Sequence, residues 1–234
     1  VQLQAVPPKR GLIYDRNGVL LAENIPSYSL TVVKEQIKSS DKNLNETLSE
    51  LAQLIDIRDE QIAGFKKRLY RSRPYEAVPL KSKLTEEEIA IIAVNRYRLP
   101  GVDVDAELVR HYPLGEIFAH ALGYVGRINE RELTEIDLVN YTGTNEIGKI
   151  GLEKHYEKLL HGEVGYENVE TNARGRVLRV LERKDPVPGT DLQLHLDARL
   201  QKVAFDALSM AGDRGAVVAL DPNTGGVLAL VSTP

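Results

Sequence analysis

Residues 11–33 alternate between apolar runs and turn-forming residues, a pattern that predicts β-structure. Residues 11–15 and 19–23 are mainly apolar, and Arg16-Asn17-Gly18 separates them. Asn-Gly between two apolar runs is the strongest short signal for a β-hairpin. Residues 27–33 then place apolar side chains at every second position, which predicts a further strand.

After Ile37 the apolar spacing changes to that of amphipathic helices. Three helices are predicted, and the residues that define them are Leu44, Leu48, Leu51 and Ile55, then Ile62, Phe65 and Leu69, then Ile89, Ile92 and Ala93. Thr85 and Glu88 form a capping box at the start of the third helix, and Pro100-Gly101 ends it. This part of the chain is therefore predicted to be rich in α-helix.

The remainder of the chain mixes both patterns. It predicts strands over 102–112, 167–171, 176–181 and 192–196, a short helix over 131–138, a helix over 151–160 that stops at Gly162, and a helix capped by Asp197. The order is β, then α-rich, then mixed. We therefore predict an α+β fold in which a helical segment is inserted into a β framework.

The last predicted element is a hairpin of two apolar strands, 216–220 and 226–231, joined by the turn sequence Asp221-Pro222-Asn223-Thr224-Gly225. These strands contain almost no polar side chain, so both faces are predicted to require burial. An isolated two-stranded hairpin is marginally stable in water. More protein than the hairpin itself is therefore expected around it.

Composition narrows the classes of protein that fit. Hydrophobic residues make up 42% and charged residues 27% of the chain, as in ordinary folded proteins. A net charge of −4 argues against nucleic acid as a main partner. There is no run of about 18 apolar residues that could span a membrane. The opening VQLQAVPPKR lacks the apolar core of a signal peptide, so we expect Val1 to lie inside a longer chain. The absence of cysteine excludes disulfides and thiolate chemistry.

One short motif matches a catalytic pattern. Ser39-Ser40-Asp41-Lys42 fits the S-x-x-K of serine acyl-enzymes. That chemistry needs the hydroxyl and the amine together in a closed pocket, whereas these residues lie in the polar run KSSDKNLNE, which predicts a surface loop. A self-contained serine hydrolase that uses Ser39 and Lys42 is the alternative from the enzyme class.

The histidines and glycines predict no cofactor site. The five histidines lack the spacing of metal ligands, and the glycines do not form a phosphate-binding motif. The glycines instead cluster where the backbone is predicted to bend. From the residues alone, the chain is predicted to be a non-catalytic scaffold without metal or cofactor.

Three stretches, RGLIYDRNG at 10–18, RHYPLG at 110–115 and GKIGLE at 148–153, resemble motifs of the monofunctional (class B) penicillin-binding proteins. Residues 10–18, RGLIYDRNG, resemble the opening motif R-G-x-I-x-D-R-N-G of that family. A second segment is RHYPLG at 110–115 with His120 and GYVG at 123–126, and a third is GKIGLE at 148–153 with YE at 156–157, LHG at 160–162 and NARGR at 172–176. The closing hairpin resembles the first two strands of the family's transpeptidase domain. The third segment is most similar to the elongation-specific branch, penicillin-binding protein 2.

The resemblance implies structural roles for the residues that carry it. They are Arg10, Gly11, Asp15, Arg16, Asn17, Gly18, Tyr112, Pro113, Gly115, His120, Gly123, Tyr124, Gly148, Gly151, Glu153, Tyr156, Gly162, Arg174 and Gly175. No catalytic residue is assigned, because the family's S-x-x-K, S-x-N and K-T-G motifs are expected beyond Pro234.

The resemblance also implies an arrangement of domains. Residues 1–34 would be the first part of a pedestal base, 35–145 an inserted head lobe, 146–212 the second part of the base with a linker, and 213–234 the start of a truncated transpeptidase domain. A membrane helix is expected before Val1, which would place the parent protein at the periplasmic face of the bacterial inner membrane. Because its sheet would be incomplete, the closing hairpin is expected to be poorly packed.

The implied function is protein–protein interaction. The parent would cross-link peptidoglycan during cell elongation, and the pedestal would dock on and regulate a RodA-type glycan polymerase and an MreC-type scaffold. The contacts are expected within 35–145. The pedestal of a division-specific penicillin-binding protein is the alternative.

Overall fold

In a computed structural model of the chain, the described residues are 2–38, 40, 43–72, 77–171, 177–212 and 214–233. Within them the strands are β1 (Gln2–Val6), β2 (Ile13–Tyr14), β3 (Leu20–Val33), β4 (Ala77–Lys81), β5 (Val102–His111), β6 (Val125–Arg127), β7 (Glu146–Gly148), β8 (Gly165–Thr171), β9 (Val177–Lys184), β10 (Leu192–Gln193), β11 (Gly215–Leu220) and β12 (Val227–Thr233). The helices are α1 (Lys34–Lys38), α2 (Leu44–Leu54), α3 (Asp59–Arg71), α4 (Glu86–Asn95), α5 (Ala119–Leu122), α6 (Gly151–His155), α7 (Glu157–His161) and α8 (Ala198–Ala211). This mixture confirms the predicted α+β class.

The described residues form two compact units. The first unit draws on Val1–Asn24, Arg110–Asn172 and Arg176–Pro234, and the second on Ile25–Val109. The continuous segment of the second unit is shorter than the predicted head lobe, 35–145. The predicted domain ranges 1–34, 35–145, 146–212 and 213–234 stay a prediction.

The second unit packs helices α1 to α4 against a sheet in which β3 pairs with β4 and with β5. Helix α4 begins as the sequence predicts, with a capping box at Thr85, and α2 begins with a further capping box at Asn43 that was not predicted. Their apolar sides meet the sheet in one core. The fully or almost fully buried residues of this core include Leu30, Val32, Ile37, Leu51, Phe65, Leu69, Ile92 and Leu99.

The first unit contains an antiparallel sheet of order β1-β8-β9 and a separate antiparallel pair, β6 with β7. The short strand β2 lies between β10, which is parallel to it, and the first residues of β3, which are antiparallel. The core residues of this unit include Ile13, Leu21, Phe118, Leu122, Leu160 and Leu196. These elements place the family-like motifs of the sequence close together.

The closing hairpin belongs to the first unit. Strands β11 and β12 are antiparallel, and β12 packs against α8, so that Ala229 and Val231 are buried. The prediction of a poorly packed hairpin is therefore wrong, because α8 precedes the hairpin in the chain and covers one of its faces. The other face carries Val218 and Leu220, which are 56% and 59% exposed.

Two predicted helices differ from the structure. The helix predicted over 151–160 is two short helices, α6 and α7, separated at Tyr156, whose φ of −100° and ψ of 20° lie outside the α-helical range. Over 131–138 the structure has only the 3-10 turn Glu132–Thr134. There the side chain of Asp137 accepts a hydrogen bond from the amide of Val139, and this local bond competes with helix formation.

Strands β1, β4, β6 and β7 are not predicted from the sequence. β1 pairs with β8, β4 with β3, and β6 with β7, so each depends on a partner outside its own local sequence. Among the described residues, none of the helices has both the length and the apolar character needed to cross a bilayer.

Candidate functional site

Four charged side chains from distant parts of the chain meet inside the first unit. They are Arg10, just before β2, Arg110, near the end of β5, Glu153 in α6 and Glu157 in α7. We call these four residues the buried ion network. Because two of them are cationic and two are anionic, the network carries no net charge.

The guanidinium of Arg10 lies at the centre of the network. Its Nε donates to Glu153 Oε2 at 2.8 Å, and its Nη2 donates to Glu157 Oε2 at 2.6 Å. Nη2 also donates to the main-chain carbonyl of Glu153 at 3.1 Å. The side chain of Arg10 is only 12% exposed, so these charge-assisted bonds replace the water that the cation would otherwise bind.

Arg110 binds the other side of Glu153. Its Nε donates to Glu153 Oε1 at 2.7 Å, while Nη1 donates to the carbonyl of Gly11 at 2.8 Å. Nη1 also donates to Asn24 Oδ1 at 3.1 Å, and the Asn24 amide donates to the carbonyl of Arg10 at 2.7 Å. Arg110 therefore fixes the backbone of the Arg10-Gly11 motif as well as the carboxylate.

Two tyrosines and one backbone amide complete the bonds to the carboxylates. Tyr112 donates its hydroxyl hydrogen to Glu153 Oε1 at 3.2 Å, and Tyr141 donates to Glu157 Oε1 at 2.7 Å. The amide of Gly148 donates to Glu157 Oε2 at 2.9 Å. Burial, together with the nearby carboxylates, raises the pKa of both tyrosines well above the usual range, so both stay protonated.

The charges of Arg10 and Glu157 are held in place by their pairing. Burial acts to lower the pKa of Arg10, but the hydrogen bond and the charge of Glu157, with the charge of Glu153, raise it overall. Burial likewise acts to raise the pKa of Glu157, and the hydrogen bond and charge of Arg10 lower it overall. A general acid or base needs a pKa near the working pH. These two residues are instead fixed as ions, which suits a structural role.

Glycines allow the backbone to approach the network closely. A Cβ on Gly148 would lie 2.2 Å from the carbonyl oxygen of Glu153. Gly123 has a φ of +75°, and a Cβ there would lie 2.0 Å from the carbonyl oxygen of Ile150. Sequence reasoning placed these glycines at bends. The structure adds that they are also sites of direct backbone packing.

The Asp15-Arg16-Asn17-Gly18 motif forms a joint as well as a hairpin turn. Asp15 is fully buried, and its Oδ1 accepts from the amides of Asn17 at 2.7 Å and Val19 at 2.8 Å. Its Oδ2 accepts from the amide of Ala198 at 3.0 Å, which is the first residue of α8. One carboxylate therefore closes the turn and caps a helix that begins 183 positions later.

The same joint has further bonds. The side-chain Nδ2 of Asn17 donates to Asp197 Oδ2 at 3.1 Å, and the main-chain amide of Arg16 donates to the carbonyl of Leu196 at 2.9 Å. Burial acts to raise the pKa of Asp15, but the hydrogen bonds from Ala198 and the turn amides lower it overall. Asp15 is therefore ionised where it meets the positive end of the helix.

The second predicted motif forms another contact with the closing hairpin. The Tyr112-to-Gly115 turn is present, with Gly115 donating its amide hydrogen to the carbonyl of Tyr112 at 3.0 Å. It leads into the 3-10 turn Gly115–Phe118 and then into α5. In α5, His120 Nδ1 and Ser232 Oγ are 2.8 Å apart.

The remaining predicted site residues have the following places. Gly11, Gly151 and Gly162 each approach a neighbouring backbone segment. Pro113 lies in the turn after Tyr112, and Gly18 ends the Asp15 turn. Tyr124 is half-exposed before β6, and Tyr156 separates α6 from α7. Ser39, Lys42, Arg174 and Gly175 lie outside the described residues, so their predictions stay predictions.

Sequence reasoning gave no individual role to Glu157, Tyr141 or Gln201. Glu157 had a usable signal: it follows Glu153 by four positions, and like charges at that spacing destabilise a helix unless a cation joins them. Tyr141 lies in a loop and Gln201 in a helix, and nothing in their local sequence marks them. Among the described residues, no cluster of three or more His, Asp or Glu side chains has a geometry that could hold a metal.

Comparison with known sequences agrees with the family resemblance of the motifs. The family described as the penicillin-binding protein dimerisation domain matches residues 5–194. The chain is 49% identical over 234 residues to the peptidoglycan D,D-transpeptidase MrdA of Acinetobacter baumannii, covering 100% of the chain and 34% of the relative. It is 44% identical over 238 residues to MrdA of Escherichia coli, covering 100% and 37%. The chain thus spans about a third of the length of these relatives.

Solved structures give a matching fold. A complex between a penicillin-binding protein (PBP2) and MreC from Helicobacter pylori matches with a TM-score of 0.76 at 26% identity, over 100% of this chain and 43% of that chain. The Pseudomonas aeruginosa PBP2 in complex with WCK 5153 matches with a TM-score of 0.56 at 35% identity, over 100% and 30%.

Proposed function

Because this chain belongs to the family of penicillin-binding protein dimerisation domains, we propose that it is the non-catalytic pedestal of an elongation-type peptidoglycan D,D-transpeptidase. The observation that carries this proposal is the buried ion network. In it, residues of all three family-like segments bind one another and leave the charges neutralised and enclosed. Such an arrangement supports a rigid base, whereas catalysis requires a group that can exchange protons or attack a substrate.

In the proposed function, the second unit is where partners dock. Its helices α3 and α4 and the 3-10 turn Arg96–Arg98 carry large side chains that are unusually exposed, namely Tyr70 at 89%, Val94 at 75% and Tyr97 at 84%. Aromatic residues are enriched in protein interfaces because they bury a large area at a small entropic cost. All three lie within the predicted partner-binding range 35–145. Their exposure supports that range without identifying individual contacts.

An MreC-type scaffold is the partner we propose first. The support is the fold match to a penicillin-binding protein that was solved in complex with MreC. Regulation of a RodA-type glycan polymerase is the further part of the proposal, and it rests on the family resemblance. The parent would hold this module at the periplasmic face of the inner membrane through a helix that precedes it.

The proposal also gives the closing hairpin a role. Its outer face, with Val218 and Leu220 exposed, has the apolar character of a sheet surface that other strands or helices cover. In the parent, the transpeptidase domain would continue from this hairpin and carry the catalytic serine.

Binding measurements with two scaffold proteins test the proposal. We expect the chain to bind an MreC ectodomain in isothermal titration calorimetry, and to bind a division-specific scaffold more weakly or not at all. Tyr97→Ala should weaken binding, whereas Met210→Ala, at an exposed apolar residue of the first unit outside the range 35–145, serves as the matched control. Preferential binding to the division scaffold would favour the alternative, a division-specific pedestal.

A fluorescent penicillin tests the non-catalytic claim. We expect no covalent labelling of the chain, and no difference between the wild-type chain and a Ser39→Ala variant. Labelling that disappears in Ser39→Ala would establish the alternative in which Ser39 and Lys42 form a hydrolytic site.

A further inference from the structure

Gln201 is a fully buried polar side chain in the first half of α8, with 0% of its surface exposed. A side-chain amide has two hydrogens to donate and an oxygen to accept, and burying them without partners is unfavourable. Its position in an amphipathic helix would be filled by an apolar residue if packing were the only requirement. The bonds of Gln201 therefore indicate what this position is used for.

The amide of Gln201 pairs with the backbone of one residue in β12. Its Nε2 donates to the carbonyl of Leu230 at 2.7 Å, and its Oε1 accepts from the amide of Leu230 at 2.8 Å. In an antiparallel sheet, a neighbouring strand makes the same two bonds to a residue of the next strand. Gln201 thus takes the place of a strand neighbour for Leu230.

The second hydrogen of Nε2 is also used. It is donated to the carbonyl of Ile117 at 2.9 Å, in the 3-10 turn Gly115–Phe118. Two carbonyl oxygens, of Ile117 and Leu230, therefore face the nitrogen of Gln201. An amide turned by 180° would place its oxygen against both of them, so the contacts fix a single orientation. A carboxylate at this position would meet the same two oxygens with a negative charge.

Contacts continue along β12 on either side of Leu230. The carbonyl of Leu228 accepts from the amide of Asp197 at 2.8 Å, and Ser232 contacts His120. Between them, Ala229 and Val231 are buried. Among the contacts described for this strand, Gln201 alone bonds both main-chain groups of one β12 residue and also donates to a third element, the 3-10 turn that contains Ile117. Gln201 therefore joins β12 both to α8 and to the 3-10 turn through one side chain.

We propose that Gln201 is a positioning residue that fixes β12 on the first unit, so that the segment continuing from β12 starts from a defined place. This inference rests on the proposed function, in which that segment is the transpeptidase domain. Gln201 binds backbone groups of its own chain. The positions of its two donor hydrogens and its acceptor oxygen determine which of these groups it pairs with.

Amide hydrogen exchange on the 234-residue chain tests the inference. In Gln201→Leu, the carbonyls of Ile117 and Leu230 and the amide of Leu230 lose their partner. We expect the exchange protection of the Leu230 amide to fall by about tenfold or more, with the amides of β8 unchanged. Gln53→Leu, at an exposed glutamine of α2, is the matched control and should leave Leu230 unaffected.

Gln201→Glu provides a signature that a purely space-filling role would not give. The ionised carboxylate at about pH 8 repels both carbonyls, whereas the neutral acid at about pH 5 can donate one hydrogen bond. After correction for intrinsic rates, we expect the protection of Leu230 relative to wild type to be lower at the higher pH. Gln53→Glu should show no such difference.

Two results would overturn the inference. One is a Leu230 protection factor in Gln201→Leu within about twofold of wild type, because the lost bonds would then contribute little. The other is an equal loss of protection across the whole first unit, because Gln201 would then be a general core residue. Neither result depends on MreC binding. A chain that fails to bind MreC while Leu230 behaves as expected would contradict only the proposed function.

Discussion

Arg10 and Glu153 stand 143 positions apart in the chain, and a hydrogen bond of 2.8 Å joins the Nε of the first to the Oε2 of the second. The side chain of Glu153 is completely enclosed, and it is also bound by Arg110 and Tyr112. The first segment of the family resemblance is thus bonded to the third through a charge pair, with the second segment supplying the remaining donors. The stability of the first unit should depend on this pair.

Replacing the central arginine tests that dependence. In Arg10→Ala, Glu157 loses its cation and remains buried, and removing one partner of a buried pair typically lowers the free energy of unfolding by about 3–5 kcal/mol. Urea denaturation followed by circular dichroism measures the change. Arg179→Ala removes an exposed ion pair with Glu170 and is the control, for which we expect no measurable change. Equal effects of the two substitutions would contradict a structural role for the network.

His161 should make stability depend on pH. Its ring is buried and stacks on Tyr141 with centroids 4.0 Å apart. Burial, with a smaller effect of Arg10, lowers the pKa of His161 below its ordinary value of 6.5, against the opposing effects of the Gly162 carbonyl and Glu157. The folded chain therefore binds this proton less readily than the unfolded chain. The stability that neutral His161 contributes is present above pH 6.5 and is lost as the pH falls from 6.5 towards its lower folded pKa.

A His161→Gln variant separates this residue from other titrating groups. We expect the free energy of unfolding of the wild-type chain to fall between about pH 7 and pH 5, and that of the variant to fall less. His155→Gln changes an exposed ring and should retain the wild-type slope. An unchanged slope in His161→Gln would show that its titration is not linked to folding.

The carboxylate of Asp15 should be needed in its ionised form. Asp15→Asn replaces one acceptor oxygen with a donor, which then faces an amide of either the turn or α8. We expect a loss of about 1–3 kcal/mol in the free energy of unfolding at neutral pH, with faster hydrogen exchange at Ala198. Asp206→Asn, on the exposed side of α8, is the control.

Acid titration gives the same residue a second test. The pKa of Asp15 is lowered in the folded chain, so its contribution is present above its ordinary value of 3.8 and is lost as the pH falls below it. The free energy of unfolding of the wild type should therefore differ less from that of Asp15→Asn at low pH than at neutral pH. A constant difference from neutral to strongly acidic pH would contradict the assignment.

Two glycine substitutions should have opposite effects. Gly148→Ala would place a Cβ 2.2 Å from the carbonyl of Glu153, so we expect a clear drop in the midpoint of thermal unfolding. Gly64→Ala lies inside α3, where the nearest atom to a Cβ is at 3.5 Å, and alanine favours a helix over glycine by roughly 0.5–1 kcal/mol. We therefore expect Gly64→Ala to raise the midpoint. A midpoint in Gly148→Ala equal to that of the wild type would contradict the steric conflict at this position.

Local pattern was sufficient for most of the secondary structure. The helices of the second unit follow the apolar spacing around Leu51 and Phe65, and their capping residues Asn43 and Thr85 are local signals. Strand β1 was missed because its partner, β8, lies more than half of the chain away. A strand whose pairing is non-local has no signature in its own five residues.

The candidate site was predicted in its residues but not in its connections. Arg10, Tyr112 and Glu153 were all singled out by resemblance, yet nothing in their spacing states that they touch one another. Asp15 was interpreted as part of a turn, and its bond to Ala198 depends on where α8 begins in space. The closing hairpin was misjudged for the same reason. The alternation of its apolar residues is local, whereas the helix that covers one of its faces is recognised only in the fold.

The insertion of residues 25–109 between the two ends of the buried ion network has a consequence for synthesis of the chain. Arg10 leaves the ribosome long before Glu153 and Glu157 do. Until then its guanidinium has neither carboxylate, and the first unit lacks its central charge pairs. The residues of the second unit that form its core are already complete by Val102. During translation, the inserted unit can therefore fold first, whereas the surrounding unit can form its central charge pairs only after Glu153 and Glu157 have been synthesised.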